Sequence, residues 1–433
     1  MSAPYDAPMH RVTTLPGGLR VASEQMPGVR SVSVGYWIDA GARDERPDQR
    51  GLAHFIEHML FKGGARHDAT AIAELFDELG AELNAATAKD STLLYARVLD
   101  DDLPVALDAM SDMLRSPSWS EIEQEREVVL EEIAMVEDAP QDGVHDLATL
   151  AMFGEDDPLG HPILGEPSVI AGARIANVAE FHRAGYGDPS IVLAAAGNVD
   201  HDRLCELAAS FLGAAPAPVE LPHRPSAGGL LPGRRFQLKE TEQFHVCVCG
   251  PGLERAHDDR FVLSLLDVML GGTASSRLFQ EIRERRGMAY SVYSYHSAYA
   301  ECGQVGVYVG TRPENLEECL SIVREETASL AAGELRPGEL ERAKRHLTGR
   351  VLLSLESSSA RMSRLGKNLL SGTEILEPDE VAARVEAVTP DQIAALAARL
   401  WAPEQLSAAG IGPDEDVFDA AVAVACPTLQ PTA

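Results

Sequence analysis

The pattern of hydrophobic and polar positions predicts strands and helices in an order that occurs twice along the chain. Alternating apolar residues from Ser31 predict a strand, and the segment from Gly51 has the apolar spacing of a helix. A second alternating segment starts at Phe244, and a second helical segment starts at Arg260. In each case a hairpin-like stretch and two further helical segments follow. The sequence therefore predicts an α+β protein with two homologous domains, each a mainly antiparallel sheet packed by helices.

The two predicted domains are separated by a segment without hydrophobic periodicity. Residues 214–235 are rich in Pro, Gly and Ala, which is typical of a linker. We therefore expect an N-terminal domain over residues 1–213 and a homologous C-terminal domain over residues 236–433.

The acidic composition argues against a nucleic-acid partner. The 433 residues include 37 Lys and Arg and 67 Asp and Glu, which gives a formal net charge of −30. This charge would repel nucleic-acid phosphates and would attract a cationic ligand. The alternative is that the acidity only keeps the protein in solution.

The cysteines and the apolar runs are typical of a soluble cytoplasmic protein. None of the six cysteines forms a C-x-x-C pair. Cys247 and Cys249 alternate within an apolar run, so we expect them on one face of a strand as core thiols. The N-terminal residues lack a signal-peptide pattern, and no run of about 18 apolar residues occurs. We therefore expect a cytoplasmic protein without a membrane partner.

Candidate chemistry lies in the first helical segment, GLAHFIEHMLFKG. His54 and His58 are four residues apart, so a helix places both imidazoles on one face, as two nitrogen ligands of a zinc ion require. Glu57 borders that face, where it would act on water as a base instead of binding the metal. The order is H-x-x-E-H, the reverse of the more familiar H-E-x-x-H. The alternative is a helix whose histidines only cap or pack.

The second copy helps to choose between these alternatives. Aligning the two helical segments places Ser264 opposite His54, Asp267 opposite Glu57 and Val268 opposite His58. The second copy therefore keeps the helix and loses both histidines. Because a purely structural role would be needed in both copies, the asymmetry favours a function confined to the first half.

A third ligand has to come from another element, and the segment SEIEQEREVVLEEIAMVED offers several glutamates. Ile122, Val129 and Val136 recur every seven residues and predict the face of this helix that packs on the core. At about 100° per residue, Glu125 and Glu132 fall within about 60° of the centre of that face. The glutamates that fall nearly opposite, where we expect solvent, are Glu127 and Glu131.

Two carboxylates on a buried face are costly unless they are paired or bind a metal. We therefore predict Glu132 as the third ligand and Glu125 as the partner that orients a ligand. In the second copy the corresponding positions are Ala343 and Arg350, so no metal site is expected there.

These residues resemble the motif of a known family. His54-x-x-Glu57-His58, followed by Glu125 and Glu132 in the spacing E-R-x5-E, is similar to the insulinase, pitrilysin and mitochondrial-processing-peptidase family of zinc metallopeptidases. The resemblance covers nearly the whole chain and includes the two-repeat organisation of bacterial members. It implies that the two histidines and Glu132 bind one Zn²⁺ per chain, that Glu57 is the general base, and that Glu125 is the family's further glutamate.

Two more segments extend the resemblance. LNAATAKDSTLLYARV, from Leu83, resembles the edge strand with which the family pairs an extended peptide, and Asn84 and Ala85 would flank the scissile bond. In the second half, Arg283 and Tyr290 resemble the family's substrate-binding pair, which would hold a substrate carbonyl and steady an oxyanion. Without the resemblance, the arginine would be interpreted as a surface charge and the tyrosine as the edge of a core.

The resemblance implies a zinc metalloendopeptidase that hydrolyses extended or unfolded peptides, basic ones among them, inside the enclosed chamber of a homodimer. One alternative is a catalytically inactive family member that acts as a structural or assembly subunit. Another is a zinc hydrolase with a non-peptide substrate, although the edge-strand motif argues against it because strand pairing requires a polypeptide.

Overall fold

The computed structural model of the chain describes residues 10–212 and 232–429. Most of the predicted linker, residues 214–231, therefore lies outside the described residues. A strand begins at Arg234, two residues before the expected start of the second domain.

The strands fall into two sets, one on each side of the undescribed segment. In the first part of the chain they are β1 (His10–Thr14), β2 (Arg20–Gln25), β3 (Ser31–Ile38), β4 (Glu82–Thr87), β5 (Thr92–Leu99) and β6 (Ile191–Gly197). In the second part they are β7 (Arg234–Leu238), β8 (Phe244–Pro251), β9 (Ala289–Ala298), β10 (Gly303–Thr311) and β11 (Ser407–Gly412).

The helices include every helical segment that the hydrophobic pattern predicts. Those before the undescribed segment are α1 (Leu52–Leu60), α2 (Ala69–Glu78), α3 (Leu103–Arg115), α4 (Ile122–Asp138), α5 (Pro140–Phe153), α6 (Pro167–Gly172), α7 (Ile175–Gly185) and α8 (His201–Leu212). Those after it are α9 (Arg260–Leu270), α10 (Leu316–Ala331), α11 (Glu339–Ser354), α12 (Ser358–Ser371), α13 (Pro378–Glu386), α14 (Pro390–Leu400) and α15 (Glu415–Ala425). Within the described residues, none of these helices combines the length and the apolar composition that crossing a bilayer requires.

The two sheets share one order over five corresponding strands, with β1 as an additional strand of the first sheet, so the predicted repeat is confirmed. The first sheet has the order β1-β2-β6-β3-β5-β4, and the second has the order β7-β11-β8-β10-β9. Neighbouring strands are antiparallel except for one parallel pair in each sheet, β2 with β6 and β7 with β11. Strand β4 is therefore an edge strand of the first sheet, and β9 is its counterpart in the second.

The chain forms two compact units, and each takes residues from both predicted domains. The segment 352–377 belongs to the first unit although it follows the second sheet's strands β7 to β10, and the segment 134–161 belongs to the second unit. The division expected from the sequence thus differs from the observed one by these two segments. The first unit contains residues 10–133, 162–212 and 352–377, and the second contains residues 134–161, 232–351 and 378–429.

The burial of the central strands explains why each unit needs one of these two segments as a cover for its sheet. All seven residues of β6 are buried, as are all nine of β10, so both faces of each strand require a cover. In the first unit one face packs on α1 and α3 and the other on α12. In the second unit α5 covers the face that carries Cys247 and Cys249, which confirms that the two thiols share one buried strand face.

Helix α12 is held on the first sheet by specific polar contacts as well as by apolar packing. The carboxylate of Glu24, which is fully buried, pairs with Arg361 and Arg364 of this helix. A Cβ atom at Gly366 would lie 2.0 Å from Nε1 of Trp37, so only glycine permits this approach. The helix therefore packs on the sheet in one defined position.

Removing the buried carboxylate should destabilise the first unit. In the variant Glu24→Ala both arginines lose their buried partner, and breaking a buried ion pair in this way costs about 3–5 kcal/mol. For a unit of this size we expect the thermal transition to fall by roughly 6–20 °C, measured by differential scanning calorimetry.

The matched control is an exposed ion pair in the same unit. Arg11 and Asp202 are paired with side chains 58% and 71% exposed, so Asp202→Ala should leave the transition unchanged within error. If Glu24→Ala unfolds at the wild-type temperature, the account of how α12 is held would be contradicted.

Candidate metal centre

Helix α1 is fixed in the first unit by its buried face and by its N-terminus. Leu52, Phe55 and Met59 are at most 1% exposed and pack in the core. The helix starts after Gly51, whose φ of 97° favours glycine and where a Cβ atom would lie 2.6 Å from a backbone oxygen. The carboxylate of Glu45 accepts the backbone N–H groups of residues 51 and 53 at 2.7 and 2.6 Å. The remaining face of α1 is therefore presented in a defined direction.

Three predicted ligands converge on that face. Nε2 of His54 lies 3.2 Å from Nε2 of His58, and these two atoms lie 3.5 and 3.3 Å from Oε2 of Glu132. In the part of the chain that the structure describes, these side chains form the group of potential ligand atoms close enough to share one metal ion.

The separations fit a tetrahedral zinc ion. Zinc holds nitrogen and oxygen ligands at about 2.0–2.1 Å, which places tetrahedral ligand atoms about 3.3 Å apart. The three measured separations, 3.2, 3.3 and 3.5 Å, bracket this value. The donor set, two imidazole nitrogens and one carboxylate oxygen, also leaves one tetrahedral position open, as catalytic zinc sites do.

A fourth side chain determines which nitrogen of His58 faces the group. Nδ1 of His58 lies 2.8 Å from Oε1 of Glu125, and Nζ of Lys62 lies 2.6 Å from Oε2 of the same carboxylate. Because a carboxylate oxygen accepts hydrogen bonds, this contact favours the tautomer of His58 that carries its N–H on Nδ1. The lone pair is then on Nε2, the atom that faces the other two side chains.

The burial pattern of α4 agrees with the periodicity for Glu125, Glu127 and Glu131, whereas Glu132 lies at the margin of the buried face. The side chain of Glu125 is 7% exposed and that of Glu132 is 42% exposed, whereas Glu127 and Glu131 are exposed to solvent. The centre of the buried face differs slightly from the prediction, because Ile133 is buried and Val136 only half-buried.

The charge state of His54 suits a metal ligand. Burial, together with the smaller effect of the neighbouring His58, lowers the pKa of His54 to about 4. The His54 ring is therefore neutral at pH 7 and offers a lone pair to a cation.

Glu57 lies beside the three converging side chains without being one of them. Oε2 of Glu57 accepts a hydrogen bond of 2.5 Å from Oγ1 of Thr87, the last residue of β4. Burial raises the pKa of Glu57, while the Thr87 hydroxyl and His58 act in the opposite direction. A carboxylate with a raised pKa is suited to exchange protons near neutral pH.

The predicted substrate strand is the edge strand of the first sheet. In β4, Asn84 is exposed and Ala85 is 8% exposed, with the alanine packed in the core. Oδ1 of Asn84 accepts a hydrogen bond of 2.8 Å from the backbone N–H of Ala85. Because β5 is the one strand that pairs with β4 among residues 10–212 and 232–429, the other edge of β4 has backbone groups available for a further strand.

The predicted Arg283 and Tyr290 lie in the second unit and contact each other. The guanidinium of Arg283 lies 4.5 Å from the ring centroid of Tyr290, and it donates to that residue's carbonyl oxygen at 3.1 Å. Tyr290 is 79% exposed. The arginine lies within a π-helical turn, Phe279–Glu284, and is half-buried. These two residues therefore form a cationic and aromatic pair whose tyrosine is exposed.

Three residues that contribute to the site are absent from the sequence-based prediction. Thr87 holds Glu57, Lys62 holds Glu125, and Glu45 holds the start of α1. The position of Lys62 one helical turn after His58 is a signal that the sequence contains. The contacts of the other two depend on how strands and loops fold around α1.

Comparisons with protein families and relatives agree with this geometry. The family profile described as "Insulinase (Peptidase family M16)" matches residues 20–166, and the profile described as "Peptidase M16 inactive domain" matches residues 174–347. An uncharacterized zinc protease of Streptomyces coelicolor is 44% identical, over 89% of this chain and 86% of its own length. The uncharacterized zinc protease YmxG of Bacillus subtilis is 38% identical, over 90% of this chain and 95% of its own length.

Solved structures match the fold over nearly the whole chain. A peptidase M16 inactive domain from Pseudomonas fluorescens superimposes with a TM-score of 0.86 at 22% identity, covering 94% of this chain and 98% of that one. A protease from Helicobacter pylori also gives 0.86, at 19% identity, covering 94% of this chain and 100% of that one. At these identities the likeness concerns the fold alone, whereas the family profiles and the closer relatives concern the sequence. The resemblance first found in the motif residues is thereby confirmed, and the chain belongs to the insulinase family of peptidases, peptidase family M16.

Proposed function

We propose that the protein is a zinc-dependent endopeptidase that hydrolyses extended or unfolded peptides. The observation that carries the proposal is the convergence of His54, His58 and Glu132 with a fourth acidic group, Glu57, held beside them by a different element. Three ligands and one separate carboxylate are the set of groups that metal-assisted hydrolysis requires.

His54, His58 and Glu132 would hold the zinc ion, and Glu125 would orient His58. When bound, zinc supplies Lewis-acid chemistry at a carbonyl oxygen and lowers the pKa of water. Glu57 then has two tasks, to remove a proton from the attacking water and to deliver it to the leaving nitrogen. The raised pKa of Glu57 supports both tasks, because a group that both accepts and donates a proton works best when its pKa is closer to the working pH.

The edge strand supports a polypeptide substrate. A peptide that adds to β4 would gain main-chain hydrogen bonds, which tolerate varied side chains and require an extended conformation. Asn84 and Ala85 would lie next to the scissile bond, and the Ala85 N–H would exchange its contact with the Asn84 side chain for one with the substrate. The net charge of −30 favours basic peptides among the possible substrates.

The second unit and the assembly complete the proposal. Arg283 would hold a substrate carbonyl and Tyr290 would steady the developing oxyanion, and the exposure of the tyrosine leaves its hydroxyl available. We further propose a homodimer that encloses a chamber for unfolded peptides. Because both motifs are present in one chain, each protomer would carry a complete set of groups.

The alternative function is that of an inactive scaffold subunit. A scaffold subunit would require no particular arrangement of ligand atoms, whereas the three atoms here are spaced as zinc ligands. The scaffold proposal is therefore the weaker of the two, and the variants below distinguish them.

Metal content is the first test. The wild-type protein should bind one zinc ion per chain, and His58→Ala should bind none at stoichiometric level because it removes a ligand. Glu125→Gln should weaken binding by about 10–100-fold, since it removes the acceptor that orients His58. Inductively coupled plasma mass spectrometry and chelator competition measure both effects. Glu127→Gln, on the exposed face of the same helix, is the control and should bind like wild type.

Loss of the base should separate binding from catalysis. Glu57→Gln should retain zinc and lower kcat by about 10²–10⁴-fold, because it removes proton transfer and leaves the ligands in place. Cleavage of a quenched fluorescent peptide, with and without a chelator, measures this. The control is Glu131→Gln, which should cleave like wild type. Undiminished cleavage by the Glu57 variant would contradict the proposed mechanism.

If the peptide pairs with β4 as an added strand, N-methylation of its backbone amides should affect KM at every second residue. In an added strand only every second amide faces the edge of the sheet. N-methylation of those amides should raise KM by roughly 2–10-fold each, which corresponds to about 0.5–1.5 kcal/mol per hydrogen bond. Methylation of the intervening amides is the control and should have a smaller effect. A scan without this alternation would contradict binding of the peptide to the edge of β4.

A further inference from the structure

The hydrogen bond between Thr87 and Glu57 joins the edge strand to helix α1. Oγ1 of Thr87 donates to Oε2 of Glu57 at 2.5 Å. Hydrogen bonds to a charged acceptor are short and directional, so they restrict the orientation of the carboxylate more than neutral ones do.

Thr87 is itself held in place. It is paired with Thr92 across the hairpin of β4 and β5. The hydroxyl of Thr92 is buried and donates to the carbonyl oxygen of Ala40 at 2.9 Å. The Thr87 hydroxyl is therefore supplied by a sheet position and not by a surface loop, which suits a group that fixes another side chain.

The second unit contains the same kind of contact without counterparts of the two histidines of α1. Asp267 stands on α9 at the position that aligns with Glu57, and its Oδ1 accepts a hydrogen bond of 2.6 Å from Oγ of Ser294. Ser294 lies on β9, the edge strand that corresponds to β4. Among the described residues, the histidine that pairs with Asp267 is His296 of the same strand, whose Nδ1 lies 3.9 Å from Oδ2 of the aspartate. The link from helix to edge strand is thus a feature of both copies, whereas the pair of histidines on the helix belongs to the first.

We propose that Thr87 is a positioning residue for the base Glu57. Its hydroxyl fixes the orientation of the Glu57 carboxylate relative to the strand on which the peptide would lie. The carboxylate can then reach both the attacking water and the leaving nitrogen without reorienting. This assignment rests on the proposed peptidase function. Small displacements of a catalytic group lower rates strongly, by about 10²-fold for 1 Å, so the hydroxyl should affect kcat more than binding.

The repeat supplies a matched control for this proposal. Ser294→Ala removes the same kind of hydrogen bond from the second copy, where no base is present. The loss of stability that comes from a broken link between helix and edge strand is therefore expected in both variants, Thr87→Val and Ser294→Ala. A loss of kcat is expected only for the threonine.

The experiment measures kcat and KM for a quenched fluorescent peptide, zinc content, and thermal stability in four proteins. Thr87→Val should bind zinc like wild type, keep KM within about twofold and lose about 10–100-fold in kcat, less than the full contribution of a general base. Thr87→Ser, which keeps the hydroxyl, should recover kcat to within about threefold of wild type. Ser294→Ala should have a kcat within about twofold of wild type.

Two results would overturn the assignment. One is a Thr87→Val protein that binds zinc and has a kcat within about twofold of wild type. The other is an equal loss of kcat in Thr87→Val and Ser294→Ala, which would mean that the contact only supports the fold. If Thr87→Val does not fold, Thr87→Ala against Thr87→Ser decides by the same criteria. A zinc-loaded wild type that cleaves no peptide would instead overturn the proposed function, and this assignment with it.

Discussion

The hydrogen bond between His58 and Glu125 joins the two helices on which the candidate site depends. It connects α1, which carries two of the proposed ligands, with α4, which carries the third, and it is 2.8 Å long. Its second effect is on the tautomer, because a carboxylate oxygen that accepts from Nδ1–H of His58 favours the form with the lone pair on Nε2. The Glu125 side chain is 7% exposed, and Nζ of Lys62 lies 2.6 Å from its other oxygen, so the buried carboxylate has two partners. One contact thus bears on both the position and the tautomer of His58.

The two copies of the domain show which features the fold requires and which belong to the site. Both keep the order of five strands and a helix after a central strand, which is α1 after β3 in the first copy and α9 after β8 in the second. In both, an acidic residue on that helix accepts a hydrogen bond from a hydroxyl of the edge strand. The two histidines, the glutamate that orients one of them and the lysine beside that glutamate occur in the first copy. In the second copy, the residues aligned with His58, Glu125 and Lys62 are Val268, Ala343 and Gly272. Because the scaffold tolerates the loss of all of them, their presence in the first copy is not explained by stability.

Much of this could be predicted from the sequence, because periodic patterns report burial directly. The strand and helix order, the repeated domain and the inward direction of Glu125 follow from spacings of two, three and four residues. The sequence pattern could not predict that α5 belongs to the second unit and α12 to the first. A continuous apolar strand such as β6 shows that both faces are covered, but its own residues do not identify the helix that covers them. The contact of Thr87 with Glu57 was missed for a related reason, since it joins two elements 30 residues apart through the register of β4.

We propose that three side chains of the first unit bind one metal ion while Glu57 stays uncoordinated beside it. A crystal structure of the zinc-loaded Glu57→Gln protein, with anomalous diffraction recorded on both sides of the zinc absorption edge, tests this directly. We predict one anomalous peak per chain, about 2.0–2.1 Å from Nε2 of His54, Nε2 of His58 and a carboxylate oxygen of Glu132, with the glutamine side chain outside the coordination sphere. The absence of a peak there, or a peak coordinated by residue 57 in place of Glu132, would contradict it.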